Sequence, residues 1–153
     1  MDYPQALAYL ESFIDHEKNT SYNYNSSFKL ERMMRFAALL GDPQKGIKSI
    51  HVAGPKGKGS TAAFIHSILG KAGYKTGLYT SPHLLSFRER IRIGGSLISE
   101  DDMARLIDGM RPAIDLLKSE QRPSFFEVYT ALAYRYFKEK NVDFAVYEVG
   151  LGG

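Results

Sequence analysis

The residues with the clearest capacity for chemistry form a glycine-rich run, Ile50-His51-Val52-Ala53-Gly54-Pro55-Lys56-Gly57-Lys58-Gly59-Ser60-Thr61. Its glycines can adopt positive φ, and they let backbone N–H groups approach an anion closely. A helix beginning near Gly59 would add unpaired N–H donors and the positive end of its dipole. Lys58 can span the terminal phosphates of a nucleotide, and the hydroxyls of Ser60 and Thr61 suit Mg²⁺. The run is typical of a loop that binds ATP phosphates.

The spacing of this run differs from that of the usual phosphate-binding loop, in which four residues separate a glycine from Gly-Lys-Ser/Thr. Here Gly54 lies three residues before Gly57, and Gly59 separates Lys58 from Ser60. A turn that resembles the motif by chance is therefore an alternative interpretation. A strand pattern over 49–53 and a helical pattern over 59–72 favour phosphate binding, because the motif requires both flanks.

Strand and helix patterns alternate along the rest of the chain. Helices are predicted over 3–16, 30–40, 59–72, 99–118 with a kink at Pro112, and 124–140. Strands are predicted over 49–53, 75–79 and 144–149, with a hairpin over 90–98 and a polar loop over 19–27. This order predicts an α/β fold with a parallel sheet and helices on both faces. The uninterrupted apolar run at 144–149 is typical of a strand buried on both faces.

Three polar features follow three of the predicted strands. The glycine-rich loop follows strand 49–53, Thr80-Ser81-Pro82-His83 follows strand 75–79, and Glu148 lies at the end of strand 144–149. Ligands of parallel sheets bind beyond the carboxyl ends of the strands, so we expect these features to meet at one edge. A carboxylate in an apolar strand is costly to bury unpaired, which favours a functional role for Glu148.

Composition limits the class of protein. The chain has 153 residues, 44% of them hydrophobic and 24% charged, as expected for one soluble globular domain. A net charge of +3 without a long basic run gives no reason to expect nucleic acid or a membrane surface as a partner. The chain has no cysteine, which excludes disulfides and thiolate chemistry and fits a cytoplasmic location. No oligomeric state is predicted.

Four motifs in this order resemble the folylpolyglutamate synthase/dihydrofolate synthase family of Mur-ligase-like, ATP-dependent amide ligases. They are Ala53–Thr61, Tyr79–Leu84 with Arg88–Arg92, Ser124–Glu127, and Glu148–Gly153. The resemblance implies a P-loop NTPase-like fold of the Mur-ligase central-domain type. It also implies a ligase that joins L-glutamate to dihydropteroate or a folate after ATP has converted the carboxylate into an acyl phosphate.

The same resemblance assigns roles to individual residues. Lys58 and Glu148 would be catalytic, and Mg²⁺ would be held by Ser60, Ser81 and Glu148. ATP would be bound by the whole loop, Gly54, Pro55, Lys56, Gly57, Lys58, Gly59, Ser60 and Thr61. The pterin-bearing substrate would contact Ser27, Phe28, His83, Ser124, Phe125, Phe126 and Glu127.

Several of these residues also have a structural interpretation. Glu127 follows Ser124 at the spacing of a capping box, and Phe125 or Phe126 could belong to the core. Ser81 could be a turn residue and His83 a packed or exposed loop residue. The alternating arginines of the hairpin, which predict one shared face, could face solvent or an anionic ligand; they are Arg88, Arg90 and Arg92.

Two departures from the family pattern leave alternatives open. Many relatives have Thr-Asn where this chain has Pro55-Lys56, so Lys56 could contact a phosphate or point to solvent. Motifs that follow Gly153 in the family are absent, so we expect residues 1–153 to be the N-terminal part of an incomplete ATP-binding domain, inactive alone. Strand 144–149 would then lack neighbours, which predicts marginal stability or self-association. Another Mur-like ligase, a P-loop phosphotransferase and a non-catalytic nucleotide-binding module are the competing hypotheses.

Overall fold

The computed structural model describes residues 1–13, 15, 30–117 and 122–150. Its helices are α1 (Tyr3–Glu11), α2 (Leu30–Leu39), α3 (Lys58–Lys71), α4 (Glu100–Asp108), α5 (Arg111–Asp115) and α6 (Phe125–Glu139). Its strands are β1 (Lys48–Val52), β2 (Thr76–Tyr79), β3 (Ile91–Ile93), β4 (Ser96–Leu97) and β5 (Phe144–Glu148), and a 3₁₀ helix spans Phe87–Arg90. The predicted order of elements is confirmed over these ranges, except that a 3₁₀ helix precedes β3 and that two helices, α4 and α5, replace the one predicted over 99–118.

The strands form one sheet in the order β1-β5-β2-β3-β4. Strands β1, β5 and β2 run parallel, whereas β2 with β3 and β3 with β4 are antiparallel. The prediction of a parallel sheet is therefore correct for three strands, and the complete sheet is mixed. The physical reason is that parallel neighbours need a crossover of a dozen or more residues. Residues 80–90 between β2 and β3 are fewer than that, and a tight turn at 94–95 joins β3 to β4. Gly94, with a φ of 56°, forms that turn between β3 and β4.

Strand β5 lies in the middle of the parallel part, between β1 and β2. The expectation that this strand would lack neighbours is wrong, because long crossovers return the chain to the space between two earlier strands. Its burial agrees with the apolar run, since residues 145–148 are all buried. Among the described strands the open edges belong to β1 and β4, and Lys48, Ser49 and His51 of β1 are exposed.

Two hydrophobic clusters hold the helices to the sheet. Helix α3 covers one face through a small cluster that includes Val52, Ala62 and Val146. The opposite face carries the larger core, to which α1, α4 and α6 contribute. Among the residues that the structure describes, no helix combines the length and apolar character needed to cross a lipid bilayer.

The predicted helix over 99–118 is two helices rather than one kinked helix. Helix α4 ends at Asp108, and α5 begins at Arg111 with Pro112 in its first turn. Proline has no N–H for the helical hydrogen bond, and its ring clashes with the carbonyl four residues earlier, which here is that of Asp108. The predicted extension of the first helix to residue 16 lies partly outside the described residues, within which α1 ends at Glu11.

A tight contact between β2 and α6 gives a test of the core. A Cβ atom at Gly77 would lie 2.7 Å from the ring of Phe137, which is fully buried. Gly77→Ala should lower the free energy of unfolding by about 1–3 kcal/mol, because overpacking displaces a side chain that has no free space. Chemical denaturation measures the change.

Gly70→Ala is the matched control for this substitution. Gly70 lies in α3, and a Cβ atom there would meet nothing within 4 Å. Alanine at this position should raise stability by about 0.5–1 kcal/mol through its helix propensity. Equal effects of the two substitutions would contradict the packing argument.

Candidate active site

The glycine-rich loop connects β1 to α3, as the sequence predicts. Gly54 has a φ of 146°, and Gly57 has a φ of 73° and forms the N-cap of α3. Gly57 has no side chain that could cap α3. The first backbone N–H groups of α3 therefore have no capping side chain as acceptor and point towards the loop. The Nζ of Lys58 donates a hydrogen bond to the Gly54 carbonyl at 2.9 Å, which places the ammonium over the loop. This arrangement is suited to an anion.

Gly59 differs from the prediction, because it lies inside α3 and not at a position of positive φ. A Cβ atom at this position would lie 3.4 Å from Oε1 of Glu148. A side chain at this position would therefore be in van der Waals contact with the carboxylate, and the backbone conformation itself does not demand glycine. The loop and the end of β5 are therefore packed directly against each other.

Glu148 lies at the carboxyl end of β5 and is only 8% exposed. Its Oε2 accepts a hydrogen bond from the backbone N–H of Ser81 at 3.0 Å. Within the described part of the chain, Glu148 forms no ion pair with a lysine, arginine or histidine. The carboxylate thus joins the loops that follow β1 and β2, and its negative charge has no cationic partner among these residues.

The predicted meeting of three strand ends is confirmed by the sheet register. Val52 at the end of β1 pairs with Glu148, and Tyr79 at the end of β2 pairs with Tyr147. The features that follow these strands consequently share one rim, with Glu148 in the middle.

The donor set at this rim fits Mg²⁺. The described residues contain no cluster of three or more His, Asp or Glu side chains that could hold a metal. Mg²⁺ in nucleotide sites is commonly held by one or two carboxylates together with phosphate oxygens and water. Glu148 would supply the carboxylate, and Ser60, which is exposed in the first turn of α3, and Ser81 would supply hydroxyls. The metal-binding roles of all three residues stay predictions.

The predicted substrate residues of α6 occupy different environments. Phe125 is a core residue, 2% exposed, whereas Phe126 is half-buried. Ser124 and Glu127 form the capping box that the sequence allows, with mutual side-chain and backbone hydrogen bonds. The carboxylate of Glu127 also forms an ion pair with Arg32 of α2 at 2.7 Å. The structural interpretation therefore holds for Phe125, and Glu127 has the capping role.

Phe126 lines a cavity of about 360 Å³ beside the rim. Its wall also contains Tyr79, Tyr134, Tyr147 and Glu148. Burial raises the pKa of both Tyr134 and Tyr147, so these phenols stay protonated at neutral pH. The Tyr147 hydroxyl is buried and has no hydrogen-bond partner among the described residues. An aromatic wall with an unsatisfied hydroxyl suits a flat ligand that carries polar groups.

The tyrosines of this cavity were not among the predicted site residues. Tyr79 and Tyr147 each occupy the position before a rim feature on a buried strand. A tyrosine at the end of a buried strand could have indicated a binding site, because a buried tyrosine hydroxyl normally needs a hydrogen-bond partner. The cavity also contains Gln44, whose buried Oε1 has no partner in the described part.

His83 is held by a buried arginine. The Nε of Arg90 donates to Nδ1 of His83 at 2.9 Å, and the His83 ring stacks on Phe87 with centroids 4.4 Å apart. Because a guanidinium only donates, Nδ1 is the acceptor, and the neutral ring bears its proton on Nε2. His83 is therefore the packed loop residue of one interpretation, while its contact with a substrate stays a prediction.

The predicted shared face of three arginines is wrong. Arg88 and Arg90 lie in the 3₁₀ helix, where the strand period does not apply, and only Arg92 lies in β3. Arg90 is 2% exposed, with its guanidinium 5.2 Å from the ring centroid of Phe125. Arg88 instead donates to the Ile98 carbonyl at 2.6 Å. Neither the solvated face nor the anion-binding face is formed.

Glu89 holds the loop that follows His83. Its carboxylate accepts backbone N–H groups from Leu84, Leu85 and Ser86 at 2.9, 3.0 and 2.7 Å. These bonds, that from Leu84 first among them, hold the pKa of Glu89 below its ordinary value. The loop at the rim is consequently stabilised by an ionised side chain. The other two predicted substrate residues, Ser27 and Phe28, lie outside the described residues.

Comparison with known proteins identifies relatives of the chain, although no family model matches it. The dihydrofolate synthase/folylpolyglutamate synthase of Bacillus subtilis is 46% identical over 127 residues, covering 81% of this chain and 30% of the relative. The crystal structure of folylpolyglutamate synthase from Thermotoga maritima is 43% identical with a TM-score of 0.87, covering 99% of this chain and 34% of that one.

A second similar structure is an FPGS complex with AMPPCP and folate, 37% identical with a TM-score of 0.84. The match covers 100% of this chain and 36% of that one. The chain thus spans about one third of the length of the relatives compared. Over that length, sequence and fold agree, and the chain belongs to the folylpolyglutamate synthase/dihydrofolate synthase family of Mur-ligase-like proteins.

Proposed function

We propose that this chain forms part of the ATP-binding domain of a ligase that joins L-glutamate to a folate or to dihydropteroate. The carboxylate of Glu148 is the observation that supports this most directly. It is buried beside the start of α3, between the loops that follow β1 and β2. A carboxylate in this setting is suited to a cation that also binds phosphate. The solved structure of a similar protein is a complex with AMPPCP and folate, which agrees with this choice of ligands.

The proposed reaction has two steps. A carboxylate oxygen of the folate or pteroate attacks the γ-phosphorus of ATP, the bond to the β,γ-bridging oxygen breaks, and ADP leaves. The amine of glutamate then attacks the acyl carbon, the C–O bond to phosphate breaks, and the amine loses a proton as the amide forms. Magnesium, when bound, would offset the negative charge of the phosphates.

The residues of this chain would act on the first step. Lys58 would neutralise charge on the β- and γ-phosphates, and the loop from Gly54 to Thr61 would bind them through backbone N–H groups. Glu148, with Ser60 and Ser81, would hold the metal ion. Phosphoryl transfer between two anions depends mainly on such positioning and charge neutralisation.

The cavity lined by Phe126 is the proposed place of the pterin-bearing substrate. Its aromatic wall fits a flat heterocycle, and it adjoins Glu148 at the rim. Phe126 and His83 are the proposed direct contacts among the described residues, whereas Ser124, Phe125 and Glu127 would act from behind them. The remaining parts of the site, including those for glutamate, would lie in the additional length of the relatives. The cytoplasmic location stays a prediction.

Glutamate-dependent release of ADP tests the proposed function. The chain would be joined to the part of the Bacillus subtilis relative that it does not cover, and dihydropteroate, folate and a UDP-linked peptidoglycan precursor would be compared. We expect ADP release that requires glutamate together with dihydropteroate or folate. Release without an amino acid would indicate a phosphotransferase instead, and activity with the UDP-linked precursor would indicate a different amide ligase. Binding of ATP without turnover would indicate a non-catalytic module.

A further inference from the structure

Glu127 and Arg32 form a nearly enclosed ion pair between α2 and α6. Each side chain is 13% exposed. The Nε of Arg32 lies 3.0 Å from Oε1 and 2.8 Å from Oε2 of Glu127, and its Nη2 lies 2.7 Å from Oε2. A guanidinium held in this way fixes the direction of the carboxylate as well as its charge.

The same carboxylate closes the first turn of α6. The backbone N–H and the hydroxyl of Ser124 donate to Oε2 of Glu127 at 2.7 and 2.9 Å. The backbone N–H of Glu127 donates in return to the Ser124 hydroxyl at 3.3 Å. Both carboxylate oxygens therefore accept hydrogen bonds from the protein. Four donor atoms converge on Oε2, and the side chain is only 13% exposed, which favours a structural role for Glu127 over direct contact with a substrate.

Phe126 lies between these two residues in the first turn of α6. A Cβ atom at Gly150 would lie 2.6 Å from the Phe126 ring, so the ring packs closely against the backbone just beyond Glu148. The ring centroids of Phe126 and Tyr79 are 5.9 Å apart. A small rotation of this turn would move the ring away from Gly150 and change the wall of the cavity.

We infer that Arg32 is a positioning residue, which clamps Glu127 and so sets the Phe126 ring in the wall of the cavity. That this cavity receives the pterin-bearing substrate rests on the proposed function. The position of the ring itself does not, because it is argued from the Arg32–Glu127 pair and from the packing of the ring on Gly150 and Tyr79. A displacement of about 1 Å can cost up to roughly 100-fold in a rate or an affinity that depends on the displaced group.

The test uses the 153-residue chain with Arg32→Met, Arg32→Lys and the control Arg35→Met. Arg35 lies on the same helix and is exposed. Two measurements without ligand show whether the first turn of α6 keeps its position. They are the amide hydrogen exchange of Phe126 and Glu127, and the NMR cross-peak between the Phe126 ring and Gly150. Calorimetric titrations with folate, dihydropteroate and Mg·ATP report the cavity and the phosphate loop separately.

For Arg32→Met we expect at least about tenfold faster exchange in this turn, loss of the Phe126–Gly150 cross-peak and about 10- to 100-fold weaker folate or dihydropteroate binding. Mg·ATP affinity should change less than about twofold, because the bonds of Arg32 to Glu127 lie at the start of α6 and not at the loop before α3. Arg32→Lys should keep the fold but show most of the same changes in exchange and binding. An ammonium cannot form the paired hydrogen bonds by which a guanidinium orients a carboxylate. Arg35→Met should resemble the wild-type chain.

An unchanged turn in both Arg32 variants would overturn the inference. Equal losses of Mg·ATP and folate affinity, with a lower melting temperature, would also overturn it, because they indicate a role in stability alone. If the wild-type chain bound neither folate nor dihydropteroate, the proposed substrate would be in doubt. The exchange rates and the cross-peak would still decide the positioning role. If Arg32→Met failed to fold, Arg32→Lys would provide the same comparison.

Discussion

Replacing Lys58 with alanine should weaken binding of Mg·ATP by about 10- to 100-fold. Hydrogen bonds to charged groups contribute about 1.5–3 kcal/mol, and each 1.4 kcal/mol corresponds to a tenfold change in affinity. The Lys58 ammonium already lies over the loop through its bond to the Gly54 carbonyl, so little reorganisation is needed to reach a phosphate. Isothermal titration of the wild-type and variant chains measures the change, with circular dichroism to establish that both are folded.

Two further lysines sharpen this experiment. Lys71 lies in the last turn of the same helix, far from the loop, so Lys71→Ala should leave the affinity unchanged. Lys56 is exposed, and Lys56→Ala decides whether its ammonium contacts a phosphate or points to solvent. A folded Lys58→Ala chain with wild-type affinity would contradict the proposed role of the loop. If the folded wild-type chain bound no Mg·ATP, the titration would be repeated on the fusion with the Bacillus subtilis relative, to separate a missing part from an effect of Pro55-Lys56.

Glu148→Gln should have opposite effects on the two forms of the nucleotide. The affinity for Mg·ATP should fall by about 10- to 100-fold, because the variant loses the carboxylate proposed to hold the metal ion. The affinity for ATP without metal should stay the same or rise, because the substitution removes a negative charge beside the phosphates. Glutamine keeps an oxygen that can accept the Ser81 N–H, so the junction of the two loops should persist. Titrations with Mg²⁺ and with EDTA measure both affinities.

Asp101→Asn provides the control for this substitution. Asp101 is an exposed carboxylate at the start of α4, and its removal changes the net charge of the chain by the same amount. It should alter neither affinity by more than about twofold once salt screens distant charges. If Glu148→Gln lowered the affinity for both Mg·ATP and metal-free ATP, Glu148 would instead have a role in the folding of the rim. Unchanged Mg·ATP binding would argue against a metal ligand.

Several features of this protein were predictable from the sequence because they depend on neighbouring residues. The turn at Gly54 and Gly57, the start of α3 and the capping box of Ser124 and Glu127 each require only a few consecutive residue types. The meeting of the β1 loop, Ser81 and Glu148 was predictable for a further reason. Parallel strands all end at the same edge of a sheet, so residues that follow different strands come together whatever the strand order.

Other features depend on residues far apart in the chain. The order β1-β5-β2 determines that β5 is central, and no local pattern states which strands become neighbours. Arg90 has the spacing of an exposed strand residue, yet it is buried beneath Phe125 and His83. The pairing of Arg32 with Glu127 joins positions 95 residues apart. These outcomes follow from how helices and strands fill the available space together.

The glycine-rich loop, the polar rim and the resemblance to a ligase family could therefore be recognised in the sequence, since these consist of short motifs with their own backbone requirements. Which of the predicted substrate residues face the cavity, and which lie behind its wall, depends instead on how distant elements pack together. Phe125 and Phe126 are adjacent and chemically identical, but one lies in the core and the other against Gly150. The helix turns by about 100° from one residue to the next, so the direction of each ring depends on where α6 rests on the sheet.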